Sequence, residues 1–191
     1  MKSVLISIQP KWCELIASGK KKVEVRKSKP KLEAPFKAYI YCTKNKDMLW
    51  ILDKPDRDFH SKIASVFTAK SVGGATKANG KVIGEFICDY ILRHCEMANA
   101  DIAEQESCVP REDILKYSNG KEGFGWHISD LVIYDKPREL SEFKKECNGI
   151  CLNTKKRINC ERFLKKGFSC DNLKPLKRPF QSWGYVYEID T

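Results

Sequence analysis

The sequence predicts a mixed α+β fold in which several short strands curl into a small mixed β-barrel with flanking helices and a Cys/Lys-rich insert. Three observations lead there. Short alternating apolar runs recur along the 191 residues, one early and one late segment carry helical spacing, and the regular strand–helix alternation of a doubly wound fold is missing. With 42% hydrophobic and 10% aromatic residues, the chain suits one well-packed core. It therefore reads as a single domain over residues 1–191, with inserts at about 43–78 and 144–178.

The elements follow in order. Val4, Ile6 and Ile8 alternate with Leu5, Ser7 and Gln9, a strand ended by Pro10. Pro10 opens a helix on which Trp12, Leu15 and Ile16 share a face, and Gly19 stands where a left-handed C-terminal cap is needed. Lys22, Glu24 and Arg26 alternate with Val23 and Val25 in a second strand, the valines expected inward and the charged trio on the opposite face. A third strand runs from Phe36 to Tyr41. Residues 43–80 read as an irregular surface excursion closed by a hairpin at Asn79-Gly80. Residues 81–92 are apolar on both faces, as in a central strand. A helix over 110–117 stops near Asn119-Gly120, a strand follows over 124–134, and 182–189 closes the chain with Trp183, Tyr185 and Tyr187 alternating.

The formal net charge is +10, from 35 Lys and Arg against 25 Asp and Glu, and such a surplus favours phosphate-bearing partners through counterion release. Its placement is uneven. Eight basic residues fall between Lys20 and Lys37 and eleven between Lys144 and Arg178, whereas Glu85 to Asp135 carries eleven acidic residues and four basic ones. No secretory leader and no stretch of 18 apolar residues is present, so the chain reads as cytoplasmic, without a membrane partner. Nine cysteines in such a chain are expected as reduced thiols. Cys147, Cys151, Cys160 and Cys170 could close a tetrahedral structural zinc site; because no C-x-x-C knuckle is among their spacings, unligated thiols are the competing and leading reading. No other cofactor is required, and no phosphate-cradling glycine motif is found.

The candidate functional residues cluster in the run from Gly19 to Arg26. It places a capping glycine, the lysines Lys21 and Lys22, the carboxylate of Glu24 and the guanidinium of Arg26 within one turn and strand. Glu24 and Arg26, two apart on one strand face, can hold each other in fixed rotamers; an ordinary solvated ion pair is the bland alternative. Trp126 and His127 are neighbours in a strand, so one points inward and the other outward, and either could stack on a base. His60 and His94 have no acid or nucleophile at a recognised spacing.

The pattern Gly19-x-Lys21-x-x-Glu24-x-Arg26 after a strand and helix resembles the signature of the ASCH domain, a PUA-like β-barrel. The stretches Asn79-Gly80-Lys81-Val82-Ile83-Gly84-Glu85-Phe86, Gly125-Trp126-His127-Ile128-Ser129-Asp130-Leu131, Tyr134-Asp135-Lys136-Pro137 and Pro179-Phe180-Gln181-Ser182-Trp183 are similar to bacterial and phage members of that family. The resemblance implies a cleft that takes RNA or a nucleotide, with Gly19, Lys21, Lys22, Glu24, Arg26, Trp126 and His127 as binding residues. One branch of similar fold hydrolyses acetylated cytidine with a lysine, a threonine and a glutamate. Lys21 matches that lysine, but Glu24 stands at the threonine position, and the third group has only a loose counterpart in Glu104 or Glu106. An amidohydrolase would then need Lys21 and Glu24 to activate water. A protein-interaction domain of a mobile element is a third reading. Oligomeric state is not legible.

Overall fold

The computed structural model of the chain describes residues 2–52, 62–65, 74–93, 100–121, 123–145 and 173–188. Its centre is a parallel pair, β1 (Lys2–Ile8) and β3 (Phe36–Cys42), separated in sequence by helix α1 (Pro10–Ala17) and strand β2 (Val23–Arg26). Other strands add antiparallel on either side. Beyond β3 lie β7 (Val82–Cys88) and β10 (Ser129–Arg138), and beyond β1 lie β13 (Trp183–Glu188), β11 (Phe143–Lys145) and β12 (Lys174–Pro175), giving the order β10-β7-β3-β1-β13-β11-β12.

The two-residue period of a strand makes this sheet the divider between two cores. Val4, Ile6 and Ile8 of β1 and Ala38, Ile40 and Cys42 of β3 join one buried cluster, with Ile16, Phe86 and Trp126. The intervening Leu5, Tyr39 and Tyr41 join the other, with Val82, Phe143, Leu176 and Val186. Both faces are covered, so each of the Val, Leu, Ile and Phe side chains among these contributes roughly the 1.5–3 kcal/mol of a full burial. Glu85 on β7 accepts from Tyr134 on β10 at 2.6 Å and pairs with Lys37 on β3 at 2.7 Å, tying three strands across one face.

Two smaller sheets complete the architecture. One has the order β2-β9-β8, where β8 is Ile91–Arg93 and β9 is Phe124–His127. The other is β5-β4-β6, from β5 (Ile63–Ser65), β4 (Leu49–Leu52) and β6 (Ala75–Lys77). Helix α2 (Ala100–Ser107) precedes α3 (Arg111–Ser118), which carries Glu112 and Asp113 in its first turn and Lys116 in its last, as the helix dipole favours. The mixed α+β class stands. Among the described residues no pairing joins β10 to β12, so no closed barrel is seen. No described helix is long and apolar enough to cross a membrane.

Several expectations change. The described residues of 43–80 are not an irregular excursion: Leu49, Ile51, Leu52 and Ile63 of the β5-β4-β6 sheet are buried, three of them in the first core. Asn79-Gly80 does not close a hairpin, because β6 and β7 belong to different sheets. Instead Asn79 Oδ1 accepts from the Leu49 amide at 2.7 Å and its Nδ2 donates to the Asp47 carbonyl at 2.8 Å, while Gly80 takes φ +84 and donates to the Cys42 carbonyl at 2.7 Å. The strand expected over 124–134 is two, β9 and β10, which lie in different sheets. Residues 81–92 likewise divide between β7 and β8. Helix α2 was not expected, since its sequence ADIAEQES lacks an apolar stripe.

Two outcomes follow from the packing. A Cβ at Gly84 would lie 2.3 Å from the Val132 carbonyl oxygen across the β7–β10 pair. Gly84→Ala is expected to lose on the order of 1–3 kcal/mol, read from its urea midpoint; an unchanged midpoint would mean the two strands separate at no cost. Burial pushes the Cys88 thiol up to about 12, with Asp89 adding to it, and burial followed by the neighbouring Cys42 thiol raises Cys13. Alkylation of the native protein at pH 8, mapped by peptide mass, should therefore modify half-exposed Cys108 before Cys13, Cys42 or Cys88.

Candidate functional site

The site starts from the end of α1. Ser18 caps the helix, Gly19 turns the chain at φ +72, and the Lys21 amide returns to the Leu15 carbonyl at 3.0 Å. The lysine side chain is thereby directed under α2. Its Nζ donates to the carbonyl of Ser107, the last residue of that helix, at 2.5 Å, where the helix dipole favours a cation. The Lys22 amide donates to the Glu106 carbonyl at 2.7 Å, so the helix end is seated on the 20–22 segment by backbone as well. Lys21 is left 2% exposed.

From Lys21 a line of charge runs along β2. Its Nζ lies 3.4 Å from Glu24 Oε2, and Glu24 Oε1 lies 2.9 Å from Arg26 Nη2. That same nitrogen donates to the Ser7 carbonyl at 2.7 Å, and Nη1 reaches Ser182 Oγ at 3.4 Å. Ser7 is fixed in turn, its Oγ donating to the Phe180 carbonyl at 2.6 Å and its amide to that of Ser182 at 2.8 Å. Glu24 and Arg26 are 5% and 7% exposed, which excludes a solvated pair. The expectation that the trio Lys22, Glu24 and Arg26 shares one fate therefore fails: Lys22 is exposed, and Lys21 from the preceding turn replaces it as the cation beside Glu24.

Two atoms of this system have no hydrogen-bond partner among the described residues: Glu24 Oε2 and Arg26 Nε. Lys21 is close enough to Oε2 for attraction but directs its bond at Ser107. A buried acceptor and a buried donor left unpaired each cost about 1–3 kcal/mol. Glu24 and Arg26, with Lys21, Ser7, Trp12, Tyr117 and others, line a cavity of about 500 Å³. Trp12 lies with its ring centroid 5.0 Å from Lys21 Nζ and 4.3 Å from exposed Lys11 Nζ. Asp113 adds a second carboxylate to the lining, and Thr43 and Gln181 add neutral polar groups.

The structure thus brings Lys21, Glu24 and Arg26 together and leaves the remaining candidates outside the lining. Gly19 shapes the turn. Trp126 is fully buried, packed edge-on against Phe36 and beside Trp183, each with ring centroids 5.7 Å away. His127 takes the other face, its Nδ1 2.6 Å from Asp89 Oδ1 and its ring stacked on Tyr90 at 4.4 Å. Glu104 is exposed and Glu106 half-buried, and neither lines the cavity. Cys147, Cys151, Cys160 and Cys170 lie outside the described residues, as do His60 and His94; among the described residues no group of three or more His, Cys, Asp or Glu could hold a metal ion. Trp12, Tyr117 and Ser7 escaped the sequence reading. Trp12 was read only as part of a core face; the adjacent Lys11 was the one signal the sequence offered.

Residues 6–147 match the model of a family described as ASCH domain. Among solved structures, a mutant of an ASCH protein from Zymomonas mobilis aligns at a TM-score of 0.49 and 15% identity, over 93% of this chain and 92% of that one. The unmutated protein aligns at 0.47 and 15% identity, over 92% and 88%. No curated protein matches.

Removing the central carboxylate should leave two buried cations facing each other. Glu24→Gln is expected to lower stability by about 3–5 kcal/mol in urea unfolding. Lys21→Met should cost less in the Glu24→Gln background than alone, since the ammonium no longer has its counter-charge. Strictly additive losses would show that the two side chains do not act on each other.

Proposed function

The chain belongs to the ASCH domain family, and from that membership and the cavity's geometry we propose that it binds RNA or a nucleotide, seating one base between Trp12 and the charged floor. The observation that carries the reading is the pair of buried atoms without a hydrogen bond among the described residues, Glu24 Oε2 and Arg26 Nε, on residues that line a cavity with aromatic walls. An acceptor beside a donor suits the edge of a nucleobase, which presents the complementary groups, and desolvated polar atoms discriminate strongly against a ligand that leaves them unpaired. Trp12 offers a ring on which a base can stack. Exposed Lys11 now lies over that ring; an arriving base takes its place and leaves the ammonium beside the phosphate.

This reading treats residues 1–191 as one unit on a PUA-like arrangement of strands. It also assigns Lys21 a fixed electrostatic role. Its hydrogen bond to the Ser107 carbonyl and its proximity to Glu24 keep the ammonium occupied, which suits a floor that positions a ligand better than one that transfers protons.

The test is a panel of nucleosides, nucleoside monophosphates and short RNAs, with binding measured by calorimetry and conversion by mass spectrometry. Wild type should bind at least one class without converting it, and Trp12→Ala should weaken that binding by roughly 5- to 150-fold, the equivalent of one lost stacking contact of about 1–3 kcal/mol. Conversion abolished by Lys21→Met in folded protein would replace this reading with an enzyme. No binding by any panel member, or binding indifferent to Trp12→Ala, would remove it.

A further inference from the structure

Beyond the cavity, the segment that follows Arg26 carries Lys27, Lys29 and Lys31 at every second residue, all exposed, while Pro30 between them is buried. Two of the three are held by aromatic rings. Lys27 Nζ lies 4.8 Å from the ring centroid of Tyr117, itself part of the cavity lining, and Lys29 Nζ lies 5.9 Å from that of Phe124. None of the three forms an ion pair among the described residues. Lys29 and Lys31 then line a second hollow of about 470 Å³ with Pro30, Leu32, Glu33, Ala34 and Ile91. The segment is anchored to the body of the fold, for the Lys31 amide donates to Tyr185 Oη at 2.7 Å and Trp183 Nε1 donates to Ser28 Oγ at 3.1 Å.

We infer that the ligand of the cavity is part of a single-stranded RNA whose next phosphates follow Lys27, Lys29 and Lys31 from the Trp12–Tyr117 cavity into the second hollow. The inference rests on the nucleotide reading of the first cavity. Its own support is the way the lysines are held. A lysine paired to a carboxylate has its charge answered and must break that pair to take a phosphate. A lysine lying against a ring face is positioned by a weak attraction that leaves its charge unanswered. Tyr117 belongs at once to the cavity lining and to the contact of the first lysine, and Lys29 and Lys31 line the second hollow, so the row begins beside the first cavity and ends in the second. Glu33 alone opposes it within the second hollow. A duplex is too broad to place one base in the first cavity without opening, so the geometry favours an unpaired strand.

Binding of a random-sequence pool of RNA pentamers and of the four nucleoside monophosphates is measured between 50 and 200 mM salt, for wild type and for the triple variant Lys27→Gln/Lys29→Gln/Lys31→Gln. Three phosphate contacts at about 0.7 each predict a salt slope steeper by about 2 for wild type, so that the pentamer's affinity falls about 20-fold more across this range in wild type than in the variant. Monophosphate binding should be equal in both. Equal pentamer slopes in the two proteins would overturn the path while leaving the cavity reading intact; failure of both pentamers and monophosphates to bind wild type would remove both. Equal tightness of a DNA pentamer would broaden the partner and overturn the assignment to RNA. A monophosphate affinity that falls in the variant would place the lysines in the cavity's own ligand shell and overturn a separate path.

Discussion

The buried chain of charge from Lys21 through Glu24 to Arg26 is the constraint on which the rest of the molecule depends. Two cations and one anion are held within a few ångströms, almost wholly out of water, and each cation is tied to a backbone carbonyl on a different part of the chain. Lys21 answers the end of α2. Arg26 answers the carbonyl of Ser7 in β1 and touches Ser182, at the start of the closing strand. A buried ion pair seldom adds net stability over well-packed apolar residues. What this one does is fix where the end of α2, β1 and the segment before β13 meet along β2, and the cavity opens above that line of charge, walled by α1 and α3.

Much of that was legible in the residues themselves. The two-residue period of β2 made Glu24 and Arg26 neighbours, Gly19 announced a left-handed turn found at φ +72, and the adjacency of Trp126 and His127 required opposite faces, as observed. Their burial was not legible, because the cover comes from Ser7, Ser107 and Ser182, up to 156 residues away in sequence. Nor could a period of two separate Lys21 from Lys22, since β2 begins only at Val23 and the turn before it reverses which lysine faces inward. The β5-β4-β6 sheet was missed for a simpler reason: strands of three and four residues complete too few alternations to rise above chance. β9 and β10 were joined because only Ile128 separates them and nothing in the sequence breaks the extended run at the sheet change.

Total charge proved a poor guide to where charge is available. Lys37, Lys62 and Lys81 are each drawn to a carboxylate, at 2.7, 2.7 and 2.8 Å, and Lys62 holds the Asp135 carboxyl below its usual range. Such lysines count toward +10 yet present little unanswered field. Lys27 and Lys29 are braced by aromatic rings instead, and so a small part of the surplus is positioned without being neutralised.

The ladder between β11 and β12 has a separate consequence. Lys145 stands directly opposite Lys174 at the rim of the large sheet, so the intervening stretch departs and returns through one gate of fixed width. The entropic cost of joining two fixed ends rises only with the logarithm of the number of residues between them. The ladder therefore sets the spacing that any change to the sequence between 145 and 174 must still span, and it does so independently of the register of the central strands.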